Sequence, residues 1–191
     1  MGRAHAFDTR FPIGRPSRLL INQRGLYSVR CARTPANLCV LGERGLTDLT
    51  FYALDPVEGK SRELARTPVN LAMDRDNWDL SPDGSKIAIA LGDEPGGHIR
   101  VVSLAGAGGH GLIINGHSGF QSMDWSADAR GCMCRAVRRA DLLHVDLQGH
   151  VETLRQQIGS FATWGVPSPD GRHLAFLEWT SAGNVWMLED F

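Results

Sequence analysis

Short runs of alternating apolar and polar residues recur along the chain, and each follows a turn-forming segment. The residues LSPDGSKIAI, at Leu80–Ile89, place two isoleucines on one side of an extended segment. The residues PSPDGRHLAF, at Pro167–Phe176, do the same with a leucine and a phenylalanine. Alternation with a period of two after a turn predicts a strand with one buried face. The two copies therefore predict the same turn-and-strand unit twice.

The Ser-Pro-Asp-Gly segment suits a tight turn. Proline fixes φ, aspartate bonds back to the local backbone, and glycine tolerates positive φ. A degenerate copy, WSADARGCMC, begins its turn at Ser126, so that Ser81, Ser126 and Ser168 are spaced by 45 and 42 residues. We expect the three turn aspartates to bond the backbone of their own turns; they are Asp83, Asp128 and Asp170.

Each copy continues through the same series of segments. An aromatic-bearing run precedes each turn, and an apolar segment follows each strand: IRVVSL, LLHVDL or VWMLED. In the first two of these units a fourth segment comes next, GLIING or HVETLR. An earlier, diverged unit contains LYSVRCA, LCVLGER, LTFYALD and KSRELAR. Four strands in roughly 40–45 residues is the period of a propeller blade. The sequence therefore predicts an all-β protein, a β-propeller of about four four-stranded blades.

The repeats predict one propeller domain over residues 1–191. The expected blades are about 23–67, 75–117, 119–158 and 161–191, with 11–22 as a closing strand. The last unit lacks an outermost strand, and an unpaired edge is unfavourable. We therefore expect Pro16–Ile21 to pair with Val185–Leu188. An open ring, a fragment of a larger propeller, and a homodimer of two half-rings are the alternatives.

The repeated motifs resemble a known family. The SPDG core followed by IRVVSL or NVWMLEDF resembles the WD40-like (PD40) repeats of the TolB-type β-propeller superfamily. More narrowly, LTFYALDPVEGKSRELART and NWDLSPDGSKIAIA resemble the C-terminal propellers of acidobacterial proteins that carry a serine/threonine kinase or winged-helix domain. The resemblance covers about residues 11–191. The turn at Ser126 departs from the motif at Ala127 and Ala129. It implies a binding or sensing module from a signalling or regulatory protein.

Composition and charge narrow the partners. The chain is 42% hydrophobic and 21% charged, an ordinary globular balance, and its net charge of −1 favours neither nucleic acid nor an anionic membrane. It contains no apolar run of about 18 residues and no signal-peptide pattern. We expect a protein or peptide partner. The compartment stays open: cytoplasmic as written, or periplasmic if the chain is cut from a longer membrane-anchored protein.

Catalytic motifs are missing from the sequence. The fragment GHSGF resembles a nucleophile elbow, but Phe120 occupies the position of its second glycine. The chain also lacks the Gly-rich loop, HRD and DFG motifs of kinases. We expect no catalytic, cofactor-binding or metal-binding residues and no enzymatic activity. Two alternatives are the propeller gating domain of an S9-type peptidase without its catalytic domain, and a TolB-like periplasmic scaffold.

The cysteines are expected to be free and buried. Cys132 and Cys134 face the same side of a strand about 7 Å apart along the chain, an arrangement that a flat strand cannot bridge without distortion. Cys31 and Cys39 lack the paired CxxC spacing of a strong zinc motif. A redox or metal role is the alternative for all four.

Two other residue types recur at repeat-related positions. The tryptophans are expected to fill the wedge between adjacent blades, where large flat side chains bury much area; they are Trp78, Trp125, Trp164 and Trp186. His144, within the apolar LLHVDL, is expected to line the central channel or an inter-blade contact.

Overall fold

A computed structural model gives the fold of the chain. It describes residues 27–55, 57–69, 77–91, 97–106, 108–117, 119–136, 141–156 and 160–180. Every regular element within these ranges is a β-strand, which confirms the predicted all-β propeller fold. No helix in the described ranges is long and apolar enough to cross a membrane.

The strands form four antiparallel sheets, each corresponding to one blade. Blade 1 contains β1 (Tyr27–Cys31), β2 (Cys39–Arg44), β3 (Asp48–Asp55) and β4 (Gly59–Pro68). Blade 2 contains β5 (Trp78–Leu80), β6 (Lys86–Leu91), β7 (Gly97–Ser103) and β8 (Gly109–Ile114). Blade 3 contains β9 (Phe120–Trp125), β10 (Gly131–Ala136), β11 (Leu142–Asp146) and β12 (Val151–Arg155). Blade 4 contains, in the described part, β13 (Ser160–Pro167) and β14 (Leu174–Thr180).

The repeated turns are stabilised by their own side chains. Asp83 accepts hydrogen bonds from the Ser81 hydroxyl at 2.6 Å and from the backbone N–H of Ser85 at 3.0 Å. The other two turns repeat this arrangement with Ser126 and Asp128, and with Ser168 and Asp170. The prediction that these aspartates bond their own turns is confirmed. The repeated motif is therefore a structural element of the blades.

The first strands of neighbouring blades contact one another, β1 with β5, β5 with β9, and β9 with β13. Each first strand leads into its turn at the same end of the blade. These turns therefore form one surface, which we call the turn face: residues 32–38, 81–85, 126–130 and 168–173. Adjacent turns are joined there, since the backbone N–H of Arg33 donates to the carbonyl of Pro82 at 2.9 Å.

Two apolar clusters fill the spaces between blades. One lies between blades 1 and 2 around Trp78, and the other lies between blades 2 and 3 around Trp125. Both tryptophans are almost wholly buried, which confirms their predicted role as wedges. The Trp186 residue and the Trp164 side chain lie outside the described part of the chain.

Glycines allow the blades to approach closely. A Cβ atom placed on Gly42 of blade 1 would lie only 2.8 Å from the indole ring of Trp78. A Cβ atom placed on Gly165 of blade 4 would likewise lie 2.7 Å from the Leu142 side chain of blade 3. A β-carbon at either position would push the neighbouring blade away, so the small residue sets the spacing.

The cysteine prediction is half right. Cys132 and Cys134 are free and buried, as expected. Cys31 and Cys39 are instead joined by a disulfide, which corrects the prediction that they are free. They are register partners on β1 and β2 with Cα atoms 4.0 Å apart. The eight-residue spacing of Cys31 and Cys39 along the chain does not by itself reveal a pair that the register of β1 and β2 brings together.

The prediction that His144 lines the central channel is wrong. His144 lies on β11, the third strand of blade 3, whereas first strands lie next to the neighbouring blades' first strands at the centre. Its imidazole covers Gly131 of the adjacent β10. The expected pairing of residues 16–21 with 185–188 lies outside the described residues and stays a prediction.

Candidate binding site on the turn face

A charged cluster lies beside the turn face, where blades 1 and 2 meet. Arg30 of β1 and Asp79 of β5 occupy equivalent places in their blades, two residues before the turn begins. The Nε atom of Arg30 lies 3.6 Å from Oδ1 of Asp79. The repeat therefore brings a cation and an anion together from two blades.

Asp79 is held on several sides. Its Oδ2 atom accepts a hydrogen bond from the backbone N–H of Trp125 in blade 3 at 3.0 Å, and its side chain is only 18% exposed. Burial raises the pKa of Asp79, and it outweighs the hydrogen bonds from backbone N–H groups and the charges of Arg30 and Arg33, which act in the opposite direction. A carboxyl group of this kind, with two arginines near it, marks a candidate functional position.

Arg33 adds a second cation, and its guanidinium is incompletely satisfied. Its Nη1 atom is buried and has no hydrogen-bond partner among the described residues. Its loop, residues 32–38, is held in place at both ends by the Cys31–Cys39 disulfide and by its own backbone bond to Pro82. The guanidinium is thus positioned by a constrained loop without an internal acceptor.

Arg30 has contacts that fix its direction. Its Nη1 atom donates to the carbonyl of Val29 at 3.0 Å, and its guanidinium lies 5.6 Å from the centre of the Trp78 ring. A cation over an indole face is attracted by the ring. Arg30 is therefore oriented between Trp78 and Asp79 and leaves part of its fork of donors for another acceptor.

The cluster suits recognition of an anionic group. Two guanidinium groups adjoin one carboxyl group, so the local charge balance favours an added carboxylate or other anion. Within the described ranges, no group of three or more His, Cys, Asp or Glu residues is arranged to hold a metal ion. The chemistry that the geometry offers at this position is charge-assisted hydrogen bonding to a partner.

Sequence reasoning did not single out Arg30, Arg33 or Asp79. They come from two blades, and each looks like an ordinary charged residue when read along the chain. The available signal was the repeat register, which places Arg30 and Asp79 at the same position of successive units. Alignment of the units by their turns would have brought the pair to attention.

Comparison with known proteins bears on the fold. No family model matches the sequence, and no curated protein matches it. TolB from Acinetobacter baumannii superimposes on 86% of the chain with a TM-score of 0.66 and 18% sequence identity. The chain therefore shares the β-propeller fold of that protein. It spans 41% of the length of that TolB.

Two further solved structures are similar to a smaller degree. A candidate TolB from Agrobacterium tumefaciens has a TM-score of 0.43 and 15% identity, over 85% of this chain and 73% of its own. A protein of unknown function from Bacteroides caccae has a TM-score of 0.44 and 12% identity, over 78% of this chain and 64% of its own. Superposition at these scores is too loose to define a shared site.

Proposed function

We propose that the chain is a non-enzymatic TolB-type propeller module that binds a protein partner through its turn face. In this proposal Arg30 and Arg33 donate hydrogen bonds to an acidic side chain of the partner. The observation that carries it is the buried Nη1 atom of Arg33, which lacks an acceptor among the described residues. A buried donor without an acceptor costs about 1–3 kcal/mol, and a shift of the half-buried Arg33 side chain towards an incoming carboxylate would remove that cost.

The constrained loop supports this function. Propellers expose their turns on flat faces around a channel, a geometry suited to docking another protein. The disulfide and the bond from Arg33 to Pro82 keep the loop in one arrangement before the partner arrives. Preorganisation of this kind raises affinity, because less conformational freedom is lost on binding.

The narrower resemblance extends the proposal to a biological role. Propellers similar to this one follow kinase or winged-helix domains in the acidobacterial proteins named above, so a sensing role within a signalling protein is the form of binding that we favour. The alternatives are the gating propeller of an S9-type peptidase and a TolB-like periplasmic scaffold. Binding through an unsatisfied arginine fits a sensing module or a periplasmic scaffold better than it fits a gating domain.

The disulfide supports an oxidising compartment. Disulfides persist in secreted and periplasmic proteins and are rare in reducing cytosol. Cys31 is exposed and Cys39 is half-buried, so the bond is within reach of cellular reductants. We therefore propose that the propeller acts outside the cytoplasm, the periplasmic option considered for the sequence.

The binding function is tested with matched baits. The wild-type chain and two variants, Arg33→Ala and Arg172→Ala, are immobilised and exposed to extract of cells that express the chain. Both arginines belong to the turn face, but Arg172 is exposed. Arg172→Ala therefore controls for the loss of one positive charge from this face. We expect a protein that is retained by the wild type and by Arg172→Ala and lost with Arg33→Ala. A retained set that is identical for all three baits would contradict the proposal.

The non-enzymatic part of the proposal has a separate test. The chain is assayed with generic peptidase and kinase substrates, and no turnover above buffer is expected. Turnover that a single substitution in this chain abolishes would refute this part and leave the docking proposal to its own test.

We also propose that the ring is completed by residues 11–22, with a homodimer as the alternative. Cysteines replace Ser17 and Met187 in a chain whose native cysteines are removed. A crosslink within one chain supports closure from both termini, and a crosslink between chains supports two joined half-rings. If neither forms, and deletion of residues 1–22 leaves the chain as soluble and stable as before, closure by this segment is wrong.

A further inference from the structure

The edge strand of blade 2 differs from the other two outer strands that are described. β4 carries several charged residues and ends at Pro68, and its pairing with β3 contains register shifts. β12 carries Glu152 and Arg155, and its pairing with β11 is shifted once. Charges, proline and irregular register are the devices that keep edge strands from pairing with other chains. β8, with the sequence GHGLII, has none of Lys, Arg, Asp, Glu or Pro and pairs with β7 without a shift.

β8 also borders an open groove. Between the rims of blades 1 and 2 lies a groove of about 730 Å³, within the range of ligand sites. Blades diverge towards the rim of a propeller, so a bulky outer strand is needed to fill the gap. β8 instead presents Gly109 and Gly111 on this side, and a Cβ atom on Gly111 would meet nothing within 4 Å. On the opposite side of β8, Leu112 and Ile114 are buried against blade 3.

The groove is cationic. Its charged lining side chains are Arg66 and Arg100, and it contains no acidic side chain. Arg66 is already paired with Asp48 and with Glu63. Arg100 donates to the Thr67 hydroxyl and, at 2.9 Å, to the Pro68 carbonyl, and no carboxylate of the described residues pairs with it.

We propose that this groove binds an extended segment of a partner protein that carries an acidic side chain. The segment adds to β8 as a fifth strand of blade 2, because main-chain hydrogen bonding to an exposed edge is a general mode of peptide recognition. Its acidic side chain pairs with Arg100. This second site is separate from the turn face and stands or falls independently of it.

Strand register explains why an acidic residue reaches the arginine. Gly111 is the register partner of Arg100 on the adjacent β7. A strand added beside β8 lies about 5 Å from it, and a residue opposite Gly111 points along the same side of the sheet as Arg100. Since Gly111 has no side chain, nothing stands between the incoming carboxylate and the guanidinium. Ile113, on the same side of β8 and 63% exposed, offers an apolar contact further along the segment.

The probe is a phage-displayed library of random nonapeptides, panned against the full chain with Gly111→Leu as the counter-selection. No atom lies within 4 Å of a Cβ added at Gly111, so the backbone accepts a side chain here, and leucine extends from this position into the groove. Enriched peptides are synthesised with a fluorescent label and titrated by anisotropy. We expect an Asp or Glu within alternating apolar residues, and at least about a tenfold loss of affinity when that acid becomes an amide.

Protein variants assign the contact. Arg100→Gln should lower affinity for the acidic peptide at least about tenfold and should abolish the difference between acid and amide peptides. Arg130→Gln, which removes an exposed arginine from the turn of blade 3, should leave affinity unchanged. The urea midpoint of each variant shows that it is folded. If the urea midpoint of Gly111→Leu matches that of the wild type, its loss of binding is not explained by unfolding.

Three results would overturn the proposal. One is failure to enrich any peptide over the counter-selection. The second is enrichment of peptides whose affinity is unchanged by Arg100→Gln. The third is a dimer of the free chain, seen by sedimentation velocity, that Gly111→Leu converts to a monomer, because the edge would then be occupied by a second copy of this chain.

Discussion

Trp125 and Asp79 join blades 2 and 3 by two hydrogen bonds. The indole Nε1–H of Trp125 donates to the backbone carbonyl of Asp79 at 3.0 Å, and the backbone N–H of Trp125 donates to the Asp79 carboxyl group at 3.0 Å. Both residues are largely buried. The tryptophan that fills the wedge between the two blades therefore also fixes the position of β9 relative to β5.

Trp125→Phe should test the indole bond. Phenylalanine keeps most of the apolar contact but removes the indole donor to the Asp79 carbonyl, which also faces Ala88 in the sheet, so the free energy of unfolding should fall by about 1 kcal/mol. The matched variant is Trp78→Phe, whose indole donates at 2.7 Å to the Ser28 hydroxyl, a group that can turn to another partner. Urea unfolding should show a smaller loss for Trp78→Phe. An equal or larger loss there would contradict this assignment.

Asp79 should make stability depend on pH. Burial raises the pKa of Asp79 above its ordinary value of 3.8, so the folded chain keeps this proton to higher pH than the unfolded chain. Between these two pKa values the folded state binds more protons, and its free energy of unfolding falls as pH rises. Asp79→Asn cannot ionise, although its amide oxygen still accepts from Trp125.

The comparison of wild type with Asp79→Asn isolates this effect, since all other carboxyl groups titrate in both. We expect the stability of the wild type relative to the variant, measured by urea unfolding, to decrease as the pH rises through and above the ordinary pKa of 3.8. A difference that is constant or increases over this range would show that the folded-state pKa is not raised.

The sequence was sufficient for the blades because local chemistry repeats. The turns at Ser81, Ser126 and Ser168 carry their own hydrogen bonds, so each forms from residues within a few positions of one another. Even Ala129, where the motif expects glycine, has φ of 57°. Turn and strand pattern together therefore predicted the sheets without knowledge of tertiary contacts.

The candidate sites could not be predicted in this way because they depend on register between strands and blades. Cys31 and Cys39 meet only when β1 and β2 are aligned. Arg30 meets Asp79 only when blades 1 and 2 are stacked. The open face of Gly111 is apparent only when Arg100 is known to lie beside it.

Gly42→Ala should lower stability, whereas the same substitution at a glycine with open space around it should not. The added methyl group would lie 2.8 Å from the Trp78 ring, so blades 1 and 2 must shift, at a cost of about 1–3 kcal/mol in the free energy of unfolding. Gly111→Ala is the matched control, because no atom lies within 4 Å of its added carbon. It should be neutral or stabilising by up to about 1 kcal/mol. Equal effects in thermal or urea unfolding would contradict the inferred blade spacing.

Thiol titration tests the disulfide. In denaturant without reductant, two thiols should react, Cys132 and Cys134, and four should react after reduction. In the native chain both free thiols should be inert, since burial raises the pKa of each. Replacement of Cys31 and Cys39 by serine should lower stability by about 2–3 kcal/mol, the loop-closure value for so short a loop. Four reactive thiols before reduction would show that the bond is absent.

Photo-crosslinking in cells that express the chain tests the turn-face proposal most directly. The photoreactive residue replaces Asn37 on the Arg33 loop in one chain, and in another it replaces Leu46, which is 87% exposed in the β2–β3 turn at the opposite end of blade 1. We predict a discrete crosslinked protein from position 37 that is absent from position 46 and is lost when Arg33→Ala is added. No crosslink from position 37, an equal crosslink from position 46, or a crosslink that survives Arg33→Ala would contradict partner binding through the turn face.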